Sequence, residues 1–263
     1  MTPEKKLSVE SYFATIRQIT SARIGIGRTG GSLTTAQILD FDLAHARAKD
    51  AVNSEFNALA FMNDLQLQLQ AIHSGLSWMT LQSGAIDKPT FLKRPDYGRR
   101  LHPSSVEELK KVDQNHDLLI ILSDGLSAQA VTAQSPGVLK TWLPLLISAK
   151  IKVGPILVIP HARVGIVDQI GEILKPRAAL ILLGERPGLA TPESLGAYFT
   201  FKPHAGLTDA DRNCISNIHS SGMEPDQAAH QLHFLLMESL RTSLGGVSLS
   251  EFMATHSEKP ELD

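Results

Sequence analysis

This sequence predicts an α/β fold: a mostly parallel sheet with helices on both faces, preceded by a helical N-terminal region. Three observations lead there. From about residue 104, short continuous apolar runs alternate with segments of helical period, the pattern of βαβ units whose strands are buried on both faces. Before that point, apolar residues recur at helical spacing, with capping signals and irregular stretches between them. Several apolar runs also stop abruptly on glycine or charged residues, as strands do where an open sheet presents its ligand-binding edge.

Taken in order, Thr34-Thr35-Ala36-Gln37 is a capping box, with Thr34 as N-cap and Gln37 reaching back. It opens a helix with apolar positions Ile38, Leu39, Leu43, Ala46 and Val52 near helical spacing. A second helix covers part of 54–72. The stretch from Lys88-Pro89 to Arg99-Arg100 is charged, carries proline and glycine, and lacks periodicity, so it reads as an exposed arm or connector. Ser104-Ser105-Val106-Glu107 caps a short helix. The apolar run 118–122 follows and ends in Ser123-Asp124-Gly125, then a helix to about 150, a run at 156–159, a helix over 168–175, and runs at 178–183 and 198–201. A last helix spans about 225–242, with Pro225 at its first position and Gly245-Gly246 stopping it. Two regions result: a helical arm over 1–103 and a Rossmann-like α/β domain over 104–263.

At 263 residues, 43% hydrophobic and 20% charged, the chain can bury a real core as one large domain or two small ones. A net charge of −2 gives no long-range case for nucleic acid or an anionic membrane. The single cysteine, Cys214, cannot form an internal disulfide, which suits a reducing cytoplasm. No apolar run approaches the roughly 20 residues of a membrane span, and the polar N-terminus lacks a secretory core. A soluble intracellular protein is expected.

Gly25-Ile26-Gly27-Arg28-Thr29-Gly30 matches the dinucleotide-loop pattern, which would make the chain a nucleotide-binding enzyme such as an NAD-dependent dehydrogenase. The pattern needs a buried strand before it and a helix starting on it. Here Ser21-Ala22-Arg23-Ile24 is too short and polar, the capped helix starts only at Thr34, and Asp50, at the offset of the ribose-binding acid, falls inside a helix. An exposed glycine turn is the simpler reading. Asp124 can either cap the next helix or bind a ligand at the sheet edge. Arg163-Val164, Gly184-Glu185-Arg186 and Asn213-Cys214 each flank the end of a predicted element, and such ends meet in space at one edge of a sheet. Glu185 can accept hydrogen bonds from hydroxyl or amide donors and Arg186 can pair with a phosphate; as residues alone, the two also fit a surface ion pair, the commoner fate of charges in a turn. Cys214 reads as a small packing residue rather than a nucleophile, because His219 is too far along to activate it. His230 and His233 share a helix face but lack the further ligands zinc needs, Glu238 being at a poor offset. There is no Walker loop, Cys-x-x-Cys pair or Ser-His-Asp order.

The co-linear segments Arg94-Pro-Asp-Tyr-Gly-Arg-Arg-Leu101, Ile121-Leu-Ser-Asp-Gly-Leu-Ser127, Asp168-Gln-Ile-Gly-Glu172, Gly184-Glu-Arg-Pro-Gly-Leu189 and Asn213-Cys-Ile-Ser-Asn-Ile-His219 resemble the small (light) subunit of ethanolamine ammonia-lyase, over about 23–249. That resemblance implies a subunit of an adenosylcobalamin-dependent lyase that splits ethanolamine to acetaldehyde and ammonia by a radical route. It further implies that the large subunit holds the substrate and contacts the 25–30 region, while this chain covers part of the cobalamin and is inactive alone. The family's cobalamin-contacting positions match Val164, Glu185 and Cys214, with no catalytic residue and no metal ligand on this chain. The cobalt-ligating Asp-x-His-x-x-Gly motif is absent; Asp42 to His45 and Asp113 to His116 have the wrong spacing. The implied partner is the large subunit, in a multimer of large/small pairs. The implied setting is the cytoplasm or, within it, a bacterial microcompartment.

Overall fold

A computed structural model describes residues 9–20, 22–72 and 75–256. Its first elements are α1 (Val9–Arg17), a hairpin of β1 (Arg28–Thr29) and β2 (Ser32–Leu33), α2 (Thr35–Asn53), α3 (Ala58–Leu69), β3 (Trp78–Thr80), α4 (Lys88–Lys93) and α5 (Pro103–Leu109). The remainder is β4 (Leu118–Ser123), α6 (Ala128–Ser148), β5 (Val153–Val158), α7 (Ile166–Leu174), β6 (Ala178–Gly184), β7 (Leu195–Phe201), β8 (Arg212–Ile218), α8 (Pro225–Thr242) and α9 (Gly246–His256).

Six strands form one sheet in the order β3-β5-β4-β6-β7-β8. The first four are parallel, while β7 and β8 run antiparallel to their neighbours. The sheet is therefore mixed rather than uniformly βαβ. The physical reason is the connections: 185–194 and 202–211 contain no helix that could carry the chain back across the sheet, so each strand returns alongside the one before it. Strands β4 and β6 are buried at every residue, which is why they read as unbroken apolar runs. The edge strand β8 instead alternates: Asn213 and Ile215 are buried, Cys214 and Ser216 open.

One face of the sheet packs against α3, α6 and α8 around Trp142, Phe199 and Leu232. The other packs against α7, with Leu101 and Leu109 from the 81–109 region. The helices after β4 and β5 thus leave on opposite faces, and the crevice between those two strand tips is the topological switch point.

The N-terminal region departs from the expected purely helical arm in three places. It supplies a strand, β3, paired in parallel with β5; three residues carry too little periodicity to announce it. The apolar stripe of α2 is not buried: Leu39 is 63% and Leu43 50% exposed, and only Ala44 and Ala51 are covered. The segment over 88–100 is no exposed arm. Phe91 is fully buried, and the segment lies over the strand tips, with Arg163 N donating to Gly98 O at 2.7 Å. Gly98 allows this approach, since a Cβ there would sit 2.9 Å from the His161 carbonyl oxygen. The Thr34 and Gln37 capping box is present as expected. The helix expected to be capped at Ser104 is α5, and its cap is instead His102, because Pro103 occupies its first position and moves the start upstream of Ser104.

Candidate functional site

The tips of β4 and β6 meet backbone to backbone. Leu126 N donates to Gly184 O at 2.9 Å, and Gly125 turns the chain there at φ +50°. A Cβ on Gly184 would meet the Asp124 carbonyl oxygen at 2.5 Å and press on that of Ser127. Gly184→Ala is expected to cost about 1–3 kcal/mol through forced overpacking, read as a lower urea midpoint at unchanged m; an unchanged midpoint would show that the tips can part freely.

Asp124 lies at this junction with no solvent exposure. It neither caps α6, whose N-cap is Ser127, nor faces an open ligand site. Its carboxylate accepts from Lys88 Nζ at 2.9 Å, from His161 N at 2.6 Å and forms a 3.2 Å contact with His161 Nδ1. Burial pushes its pKa up, but the His161 hydrogen bonds and the Lys88 charge together outweigh that and hold it below the usual carboxylate value. The switch-point crevice is thus filled by the chain's own Lys88, and an open surface lies farther along the sheet.

That surface lies over β6, β7 and β8, on the face that α7 covers elsewhere. Glu185 follows the last residue of β6, and its carboxylate folds back over Gly196, where a Cβ would be 2.9 Å from Oε1. Oε2 accepts from Ser194 Oγ at 2.6 Å and from Asn217 N at 3.2 Å, tying together the ends of three strands. Tyr198 is next on this face, and it pairs across to Cys214 in β8. Burial, with the neighbouring Cys214 and Glu185, pushes the Tyr198 hydroxyl up to about 12. Burial likewise pushes the Cys214 thiol up, against a lowering hydrogen bond from Tyr198. A thiol held above its ordinary pKa is a poor nucleophile at neutral pH.

Val164, Glu185 and Cys214 therefore share one side of the sheet, by three routes. Val164 is half-buried just before α7 and packs with the core on that face. Glu185 and Cys214 are linked through Tyr198. Cys214 is not at the strand tips, as its sequence position suggested: two antiparallel pairings make β8 run in the same direction as β6, so its beginning lies away from the β6 tip, and Cys214 reaches the site by lying on the open face within the strand. Nor is it a core packing residue: it is exposed overall, with its thiol partly sheltered beside Tyr198. Gly196, Ser194 and Tyr198 were missed by sequence reading; a lone glycine in a strand, marking close approach of another group, was the available signal.

Other candidates separate from this surface. Gly25 precedes the short β1–β2 hairpin and Gly30 lies in its turn, rather than in a strand-to-helix turn, so the fingerprint's structural context is lacking. No cluster of three or more metal-type ligands occurs among the described residues, His230 and His233 included. No helix among them is long and apolar enough to cross a membrane.

Fold and surface together define an α/β protein that presents an open shelf of carboxylate, phenol and thiol on a sheet face, without an activated nucleophile or metal centre among the described residues. The family profile described as "Ethanolamine ammonia-lyase light chain (EutC)" matches residues 10–250. The chain is 42% identical over 252 residues to an ethanolamine ammonia-lyase small subunit from Azotobacter vinelandii, covering 94% of this chain and 91% of that one. It is 43% identical over 237 residues to the Rhodopseudomonas palustris small subunit (90% and 88% covered) and 41% over 260 to that of Pseudomonas aeruginosa strain UCBPP-PA14 (96% and 93%). The chain belongs to the ethanolamine ammonia-lyase light chain family and is a lyase subunit; a small subunit implies a large one.

Proposed function

We propose that this chain is the cobalamin-binding small subunit of an adenosylcobalamin-dependent ethanolamine ammonia-lyase, inactive alone, with the substrate held by the large subunit. The observation that carries this reading is the shelf itself: the Glu185 carboxylate laid over Gly196, beside Tyr198 and Cys214. The residues fit a broad, flat macrocycle rimmed with amides. Gly196 leaves room for close approach, Glu185 offers an acceptor to amide or ribose donors, and Val164 and Cys214 offer apolar and soft contacts on the same side. The cofactor, when bound, supplies the radical chemistry that takes ethanolamine to acetaldehyde and ammonia. The chain's own residues bind, orient and screen from water; none is assigned a bond-breaking step.

Residues 1–103 form the docking arm in this reading and 104–263 the Rossmann-like cobalamin domain. Support for the arm comes from its apolar side chains: Tyr12, Ile19, Leu39, Phe41 and Leu43 are all exposed, available for a partner to cover. The complex is placed in the cytoplasm or in a microcompartment within it. The purified chain should release no acetaldehyde from ethanolamine with adenosylcobalamin, and addition of the large subunit should restore the reaction. Turnover by the chain alone would overturn this division of labour.

A further inference from the structure

We propose that Arg99, Arg163 and Arg186 form a phosphate-class anion site beside the shelf, which in the complex takes the phosphodiester of the cobalamin nucleotide loop. The assignment of that source rests on the cobalamin reading above.

The three guanidinium groups come from separate segments brought together at the strand tips. Arg163 is hydrogen-bonded through its backbone to Gly98, the neighbour of Arg99. A Cβ on Gly165 would sit 3.4 Å from Arg99 Cγ, which places the Arg99 side chain against the start of α7. Arg186 follows Glu185 at the end of β6. Burial, then the like charges of the nearby Arg99 and Arg186, push the pKa of Arg163 below its ordinary value.

Among the described residues, no acidic side chain forms an ion pair with any of the three. The carboxylates of this region have other partners: Asp124 holds Lys88 and His161, Glu185 holds Ser194 and Asn217, and Asp168 holds Arg212 at 2.8 Å. Arg163 itself is held in place, its guanidinium 4.2 Å from the Phe91 ring centroid and one Nη donating to Phe91 O at 3.4 Å. Its Nε is buried and has no acceptor. A positioned guanidinium with an unused buried donor, two more guanidiniums nearby and no carboxylate partner is built for an external anion. The N-terminus of α7, which has no side-chain cap at Gly165, adds its dipole in the same sense. Three guanidinium groups from separate segments suit the several oxygens of a phosphate better than a planar carboxylate, which one arginine can satisfy.

The test compares cyanocobalamin with dicyanocobinamide, which lacks the nucleotide loop and its phosphodiester, in the reconstituted two-subunit complex by equilibrium dialysis and absorbance. The double variant Arg99→Gln/Arg186→Gln uses exposed positions and leaves the Arg163–Phe91 stack intact. It should bind cyanocobalamin about tenfold or more weakly, as expected when a charged hydrogen-bond set is lost, with dicyanocobinamide unchanged. Inorganic phosphate should compete with cyanocobalamin on the wild-type complex and lose that effect in the variant. Arg163→Lys, which keeps the charge but removes Nε, should give a smaller loss, again for cyanocobalamin alone. Equal loss for both corrinoids, or loss for neither, overturns the anion site while leaving the cobalamin reading in place. Phosphate that binds the wild-type arginines without displacing cyanocobalamin overturns the nucleotide loop as source. A wild-type complex that binds neither corrinoid overturns both.

Discussion

Lys88→Met is expected to lower stability by about 3 kcal/mol, toward the low end of what breaking a buried ion pair costs. Asp124 has no exposure, and Lys88 supplies the charge opposite it. Removing the ammonium strands a buried carboxylate that retains its His161 contacts and a 3.4 Å hydrogen bond from Ser123 Oγ but no full opposite charge. For a chain of this size, the shift in melting temperature should be roughly 6–12 °C. The double variant Lys88→Met/Asp124→Asn removes both charges and keeps an acceptor for His161 N, so it should recover much of the loss. A single variant that melts with the wild type would show that the pair contributes no net stability. The pH dependence follows from the lowered pKa of Asp124. A carboxyl that is more acidic folded than unfolded stabilises the fold above its unfolded value of about 3.9, and that stability is lost as pH falls through the lower folded value. The gap between wild type and Lys88→Met should therefore be full at neutral pH and close in acid.

Glu185→Ala, in the complex with the large subunit, is expected to weaken cobalamin binding by about 1–3 kcal/mol, roughly 5- to 150-fold in Kd. The substitution removes the acceptor on the shelf and also releases Ser194 Oγ and Asn217 N, loosening three strand ends. Two controls separate these effects. Ser194→Ala removes one strand-end contact but keeps the carboxylate, and should cost little affinity. Gly196→Ala keeps every polar group but places a Cβ where Oε1 lies, and should reproduce much of the Glu185→Ala loss. If Glu185→Ala binds cobalamin as the wild type does, Glu185 is a strand-end clasp and not a cofactor contact.

Much of this organisation was legible because buried strands write themselves plainly. Strands β4 and β6 must be apolar on both faces, so their ends, and hence the place of Glu185, could be read directly. Less visible were features whose meaning depends on a distant segment. The charged stretch over 88–100 looks like solvated arm because its polar residues dominate, yet Phe91, Gly98 and Lys88 are the parts that dock. The apolar positions of α2 were read from helical spacing, but that periodicity marks only that a face is apolar, not what covers it, and Leu39 and Leu43 are exposed.

By itself, the sequence determined the α/β class and the capping of α2. Local hydrogen bonding and burial period act within a few residues, and they leave a direct trace in residue order. Tertiary structure alone decided that the sheet is mixed, that Cys214 lies on the open face within β8, that Lys88 closes the switch-point crevice on Asp124, and that the Arg99 side chain lies against the start of α7, close behind Arg163. Strand direction, ion-pair partners and the meeting of like charges are set by packing between segments far apart in the chain, and no spacing within any one segment encodes them.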